Sequence, residues 1–265
     1  MKRNNKIDLL IENLSSEFSK ITNFNLLHES EEGRKLFDFV VKSISDLENF
    51  QTLYLNYYLP AANKSIVNTW NDILNSKYKS ILNLEKDDLK ENLYETIRFG
   101  YVGLFHKYES FLKSLILSSD FLFKELREEN NLLNIEQYCK VHLKINIYKT
   151  HDKFHITKKI NYISNSIKHY DSYPKQPVII EFSHLNPDEK IKLEKEEFKK
   201  DIEALKFHCQ YLTSVIIALG FKQYLDLDYN VIQKSLKIEL KDDVNTKLKL
   251  EDIKKTFEYL INDLK

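Results

Sequence analysis

The chain has 265 residues, of which 40 are basic and 40 acidic, and its sequence pI is about 7.1. This balance is unlike the basic surface of a protein that binds duplex DNA avidly, although it is compatible with a local basic patch. Only four glycines and four prolines are present. Because all-β and doubly wound folds need many more turn residues, the composition predicts an all-α helical bundle with at most a small β-hairpin.

Helical periodicity dominates the chain. Ser30 precedes a long helix that Pro60 is expected to close. The stretch from Asp87 to about Leu126 holds one very long helix or two stacked helices, and residues 135–148 fit a helix or an extended segment equally well. The other predicted helices are residues 4–22, 65–82, 156–170, from Asn186 to Gly220 and 250–264, and short strands are predicted at 178–182 and 235–240.

These elements predict three regions. Residues 1–86 form an N-terminal helical region, and residues 87–225 form the main helical bundle. Residues 226–265 supply a strand and a helix that pack on that bundle.

The segment 156–170 carries the first candidate site. Its apolar side chains form one stripe at helical spacing, and polar side chains fall on the opposite side. Asn165 and His169 lie one turn apart on the polar side, with Lys158. Histidine titrates near neutral pH, and asparagine can hold an imidazole or a phosphate oxygen. The alternative is a solvated face on which His169 interacts only with the helix dipole. The apolar stripe consists of Ile156, Ile160, Ile163, Ile167 and Tyr170.

A second polar line lies along the helix predicted near residue 100. Charged side chains recur at one edge of its apolar arc, and they include Arg98 and Glu109. They are either ordinary ion pairs along a helix, such as Glu109 with Lys113, or one wall of a polar groove facing Asn165 and His169. The motif GYVG at 100–103 predicts two small residues that admit a neighbouring helix closely.

No metal or cofactor is expected. Four potential zinc ligands have short spacings, but their order is unusual for a zinc finger and three lysines crowd them. The sequence also has no glycine-rich phosphate loop, nucleophile elbow or HExxH motif. Free thiols without metal are therefore predicted. The four ligands are Cys139, His142, His151 and His155.

Several features predict a cytoplasmic protein without a membrane span. Two cysteines are too few for a disulfide framework. The N-terminal segment MKRNNKIDLLIENL carries Asp8 and Glu12, so it lacks the apolar region of a signal peptide. The longest apolar run, residues 214–221, is too short to cross a bilayer.

The motif FHKYESFLKSLI, followed about fifty residues later by a helix that ends in NSIKH, resembles the HEPN superfamily. The resemblance covers roughly residues 87–220. It implies an all-α bundle of bacterial defence or toxin type. In active members an arginine precedes the histidine by four to six intervening residues, and two such helices meet at a homodimer interface and cut RNA without metal.

The resemblance implies a catalytic role for His169 as general base or acid, with Asn165 at the polar position and Glu109 on the first helix. The family's arginine is replaced by Ser164, which supplies no cation. Lys158 or Arg98 would have to stand in for it. The sequence therefore leaves two hypotheses open. One is a metal-independent endoribonuclease, and the other is a non-catalytic dimeric module that binds RNA, a nucleotide or a protein such as an antitoxin or a defence-system component.

Overall fold

The computed structural model describes residues 31–82, 84–120, 155–176 and 185–225, together with single positions at 137–141 and 244–258. These residues form helices, and none of them lies in a strand, which confirms the predicted all-α class. In chain order the elements are α1 (Glu31–Leu53), a π-helical segment (Tyr54–Tyr58), α2 (Leu59–Asn75), α3 (Lys79–Leu82), a 3₁₀ turn (Asp88–Lys90), α4 (Glu91–Ser119), α5 (His155–His169) and α6 (Lys195–Leu225).

The chain divides into two compact units, each assembled from separate stretches of sequence. The first unit contains Met1–Ser43, Phe111–Thr150 and His208–Lys265, and the second contains Ile44–Ser110 and His151–Phe207. The three regions predicted from the sequence stay a prediction.

The core of the first unit is built on apolar side chains from three helices. The rings of Phe39 and Phe111 lie 5.6 Å apart between centroids, and Leu115 is fully buried. Cys209 is a free cysteine, and burial raises the pKa of its thiol, so the sulfur is held in its unreactive protonated form.

The second unit is organised around a chain of aromatic rings. The ring of Phe198, on α6, lies 4.9 Å from that of Tyr101 and 5.7 Å from that of Tyr54. These contacts are possible because α4 presents Gly100 to the same rings: a Cβ added there would lie 2.6 Å from Cζ of Phe198. The close approach predicted from the GYVG motif is therefore confirmed, and it is tightest at Gly100.

Gly100→Ala is expected to lower the free energy of unfolding by about 1–2 kcal/mol, because overpacking a core costs about 1–3 kcal/mol and the better helix propensity of alanine returns less than about 1. Phe198 cannot move aside easily, since Tyr54 and Tyr101 hold its ring. Gly103→Ala is the matched control, because its Cβ would meet only Phe50, at 3.1 Å. Urea denaturation measures both variants. A Gly100→Ala protein as stable as Gly103→Ala would contradict this packing.

Two predicted helix boundaries near proline are wrong. Pro60 does not close the helix that begins at Glu31, because the π-helical segment leads directly into α2 and Pro60 stands in its first turn. Proline is tolerated there because a first-turn N–H has no partner within its own helix. The helix predicted at 65–82 accordingly begins at Leu59 and stops at Asn75, and a short turn separates it from α3.

The segment after residue 185 also differs from the prediction. Asn186 does not begin a helix: its Oδ1 accepts a hydrogen bond from the amide of Asp188 at 3.1 Å, which makes a tight turn. The chain then stays non-helical until Lys195, with Ile191 and Leu193 buried. The helix that follows runs through Gly220 and ends at Leu225.

The stretch predicted as one or two helices from Asp87 is a single helix, α4, as far as Ser119. The predicted elements at 4–22, 135–148, 178–182, 235–240 and 250–264 lie wholly or largely outside the described residues.

Candidate functional site: the end of α5 and the turn after it

Helix α5 is buried over more than half of its circumference. Ile160 and Ile163 lie in the core as the apolar stripe predicts, and Tyr162 is buried beside them. The stripe does not stay buried to its end, since Ile167 is only half-buried and Tyr170 is exposed. The polar side is the most accessible one: Lys158, Asn161 and Asn165 are half-buried, and His169 is exposed.

His169 ends α5 with its imidazole open to solvent. Glu109, which the polar-groove alternative would bring to face it, is exposed on α4. Within the described part of the chain, neither side chain makes a hydrogen bond or an ion pair. No carboxylate of the described residues therefore orients the imidazole, and the Glu109–Lys113 ion pair does not form.

Arg98 lies in the interior of the second unit, with only 2% of its surface exposed. Its Nη1 donates to the backbone oxygen of Ile191 at 3.1 Å, and its Nη2 donates to the carboxylate of Glu91. Its Nε makes no hydrogen bond to the described residues. The guanidinium thus fastens the non-helical segment before α6 to α4, and it is committed to this contact rather than to the surface that carries His169.

Ser164 and Asn165, which the catalytic hypothesis also involves, have defined positions on α5 as well. Ser164 is fully buried, and its Oγ makes no hydrogen bond among the described residues. An arginine at this position would point into the protein. Asn165 donates from Nδ2 to Oδ1 of Asn161, one turn earlier, at 2.5 Å. This pairing holds both amides along the half-buried side of α5.

The turn that follows α5, residues 170–175, is tightly held by backbone hydrogen bonds. The amides of Tyr170 and Ser172 both donate to the backbone oxygen of Ser166, at 3.0 and 3.1 Å, which satisfies a carbonyl at the helix end. Asp171 and Ser172 adopt positive φ values of 48° and 70°. The amide of Ile191 donates to the oxygen of Ser172 at 2.9 Å. The turn is therefore fixed from both sides.

The last turn of α5 and the turn that follows it expose cationic and aromatic side chains. Lys168 and Lys175 are exposed, and neither forms an ion pair with a described residue. Tyr170 and Tyr173 expose 43% and 39% of their surface. The one carboxylate of the turn, on Asp171, lies 3.4 Å from the ammonium of Lys190. We call Lys168, His169, Tyr170, Tyr173 and Lys175 the α5-end surface.

A buried polar cluster in the same unit was not predicted. The hydroxyl of Tyr101 donates to Oδ2 of Asp201 at 2.5 Å, and Nζ of Lys159 lies 2.6 Å from the same oxygen and 2.6 Å from Oε1 of Glu197. Burial and the nearby charge of Asp201 raise the pKa of Tyr101, so the phenol stays protonated. Because Tyr101 is fully buried, its hydroxyl is not accessible from the surface. This cluster therefore stabilises the fold.

The charges of the cluster are set by burial and by pairing. Burial alone would lower the pKa of Lys159, but Asp201 and Glu197 outweigh it, and the pKa is raised. Burial raises the pKa of Asp201 against the opposing influence of Lys159 and of the Tyr101 hydroxyl. The sequence did contain a signal: Asp201 falls three residues after Phe198, on the buried face of α6.

The described residues contain no group of three or more His, Cys, Asp and Glu side chains arranged to hold a metal ion. The structure does not describe the four side chains proposed as zinc ligands, so the expected absence of metal stays a prediction. They belong to Cys139, His142, His151 and His155. No described helix is long and apolar enough to cross a membrane. No family model, curated protein or solved structure matches the chain.

Proposed function

We propose that this protein is a non-catalytic helical module that binds RNA through the α5-end surface. The observation that supports this most is that two exposed lysines and two exposed tyrosines lie within residues 168–175, at the end of α5 and in the turn that follows it. RNA presents alternating phosphates and base faces, and lysines beside aromatic rings match both. The bacterial defence or toxin setting, the cytoplasmic location and a homodimer built on the same face belong to this proposal through the likeness to HEPN proteins.

Catalysis is the less favoured hypothesis because neither Arg98 nor the position of the family's arginine supplies a guanidinium to the surface that carries His169. Phosphodiester cleavage through the 2′-hydroxyl needs a group that stabilises the charge of the phosphorane as well as a general base. Arg98 is buried and bound to Glu91 and Ile191, and the position of Ser164 faces the interior. Of the two cations considered as replacements for the family's arginine, only Lys158 stays compatible with that role, because it is half-buried on the side of α5 that carries His169.

The proposal predicts how RNA affinity depends on salt. Lysines that contact phosphates release counterions, and each such contact adds about 0.7 to the slope of log affinity against log salt for a single strand. Lys168→Ala/Lys175→Ala should therefore weaken RNA binding and reduce the slope by about 1.4. Fluorescence anisotropy with a labelled oligonucleotide at several salt concentrations measures both.

The matched control removes the same charge elsewhere. Lys79 and Lys86 are exposed and lie far along the chain from α5, and Lys79→Ala/Lys86→Ala should leave the slope unchanged. An equal loss in both double variants would mean that binding follows net charge rather than this surface. Tight binding of a protein partner that survives loss of Lys168 and Lys175, without any RNA binding, would favour a protein-binding module instead.

A further inference from the structure

We propose that the α5-end surface selects single-stranded RNA, because Tyr170 and Tyr173 stack on two unpaired bases while Lys168 and Lys175 hold the flanking phosphates. This inference rests on the proposed function and specifies its ligand. A duplex buries its base faces in the helical stack, so rings on a protein surface can stack only on bases of a single strand, a loop or a bulge.

The first support is that both rings are accessible and uncommitted. Neither ring stacks on another aromatic side chain, and neither hydroxyl makes a hydrogen bond within the described ranges. Two other tyrosines of this unit contrast with them: Tyr101 and Tyr162 are buried, and each hydroxyl donates to a partner, Asp201 and the backbone oxygen of Lys175 respectively. Exposed rings without partners are free to accept a base.

The second support is that hydrogen bonds fix the backbone of the turn that carries the two rings. The amide of Tyr173 donates to the oxygen of Tyr170 at 2.8 Å, and Lys175 is held by Oγ of the buried Ser166 at 3.2 Å. Ser172 keeps a left-handed φ of 70°, which a residue other than glycine adopts only when its surroundings fix it. A preorganised turn loses little conformational freedom on binding, so more of the stacking energy appears as affinity.

The third support is the charge around the rings. The ammonium of Lys168 lies 5.5 Å from the centroid of the Phe105 ring, which positions it at the end of α5. Lys190 lies beside Asp171 and offsets the only carboxylate of the turn. In the sequence the two tyrosines lie between Lys168 and Lys175, both exposed, and a strand of alternating phosphates and bases calls for cations next to stacking rings.

The experiment compares one labelled single-stranded 12-nucleotide RNA with the same strand annealed to its complement, by anisotropy at constant salt. Tyr170→Ala/Tyr173→Ala should weaken binding of the single strand about tenfold or more, since stacking on one aromatic ring contributes that order of affinity per base. Tyr170→Phe/Tyr173→Phe keeps both rings and should bind within about twofold of the wild type. Tyr78→Ala, at another exposed tyrosine, is the matched control and should have no effect. Circular dichroism checks that each variant is folded.

The outcomes separate this inference from the function on which it rests. If the duplex binds as tightly as the single strand, or if the alanine pair binds like the phenylalanine pair, base stacking is refuted while RNA binding stands. If neither RNA binds at any salt concentration, both proposals fail. A preference for the single strand that is lost only when the rings are removed is the expected result.

Discussion

Replacing Asp201 with alanine is expected to lower the free energy of unfolding by about 3–5 kcal/mol, the largest effect of any single substitution considered. Removing the most buried carboxylate of this cluster weakens the compensation of a lysine that is itself largely shielded from water. The hydroxyl of the fully buried Tyr101 would lose its acceptor, and Lys159 would keep only the carboxylate of Glu197. Chemical denaturation monitored by circular dichroism measures the loss.

Two control variants show whether the loss comes from the cluster. Glu203→Ala removes an exposed carboxylate from the same helix and should change stability by less than about 0.5 kcal/mol. Asp201→Asn keeps an acceptor for Tyr101 and should cost less than the alanine variant. Equal stability of Asp201→Ala and Glu203→Ala would show that the cluster contributes nothing to the fold.

Arg98→Ala is expected to lower the free energy of unfolding by about 2–4 kcal/mol. The substitution removes two hydrogen bonds, leaves the carbonyl of the buried Ile191 without its donor, and creates a cavity where the stem of the arginine packs. Glu91 has a side chain that is 45% exposed, so water can solvate its carboxylate after the change. The loss should therefore come mainly from the segment before α6.

Arg98→Lys tests the geometry of this contact. Lysine keeps the charge but cannot reach Glu91 and Ile191 in two separate directions, so an intermediate loss is expected. Lys113→Ala, at an exposed position on α4, should be nearly neutral. A fully stable Arg98→Ala protein that cuts RNA less well than the wild type would instead place Arg98 in catalysis.

The sequence predicted the helices where one period dominates. α4 and α5 follow from apolar residues at three- and four-residue spacing, and the wheel of α5 also identified its accessible side. The non-helical structure of residues 190–194 was not predicted, although the segment alternates with a period of two. Ile191 and Leu193 are buried, and Lys192 and Glu194, which alternate with them, are exposed. That alternation is typical of extended chain and was present in the letters KIKLE.

Prolines and asparagines were harder to interpret because each is compatible with two different local structures at a helix boundary. Pro60 could end one helix or stand in the first turn of the next, and its φ is compatible with both. Asn186 could cap a helix or close a turn with its side chain, since both use one oxygen on a nearby amide. Only the packing of the following residues distinguishes these cases.

The candidate site could be predicted only in part, for a related reason. Exposure of His169 follows from the helical wheel of α5, which is a local property. The burial of Arg98 depends on Ile191, 93 residues later in the chain, and the pairing of Lys159 depends on a helix that begins 36 residues beyond it. Long-range partners of this kind leave no periodic signal in a single sequence, so the helical pattern put Arg98 at the edge of the apolar arc but did not predict its burial against Ile191.

The most direct test of the account is the fate of RNA that the protein has bound. Purified protein is incubated with labelled single-stranded RNA in EDTA, and the products are separated under native and denaturing conditions, with His169→Ala in parallel. The account predicts that the wild type shifts the RNA on the native gel and returns it at full length on the denaturing gel. Fragments with cyclic-phosphate ends that appear with the wild type and disappear with His169→Ala would contradict it, because they would make His169 a catalytic residue.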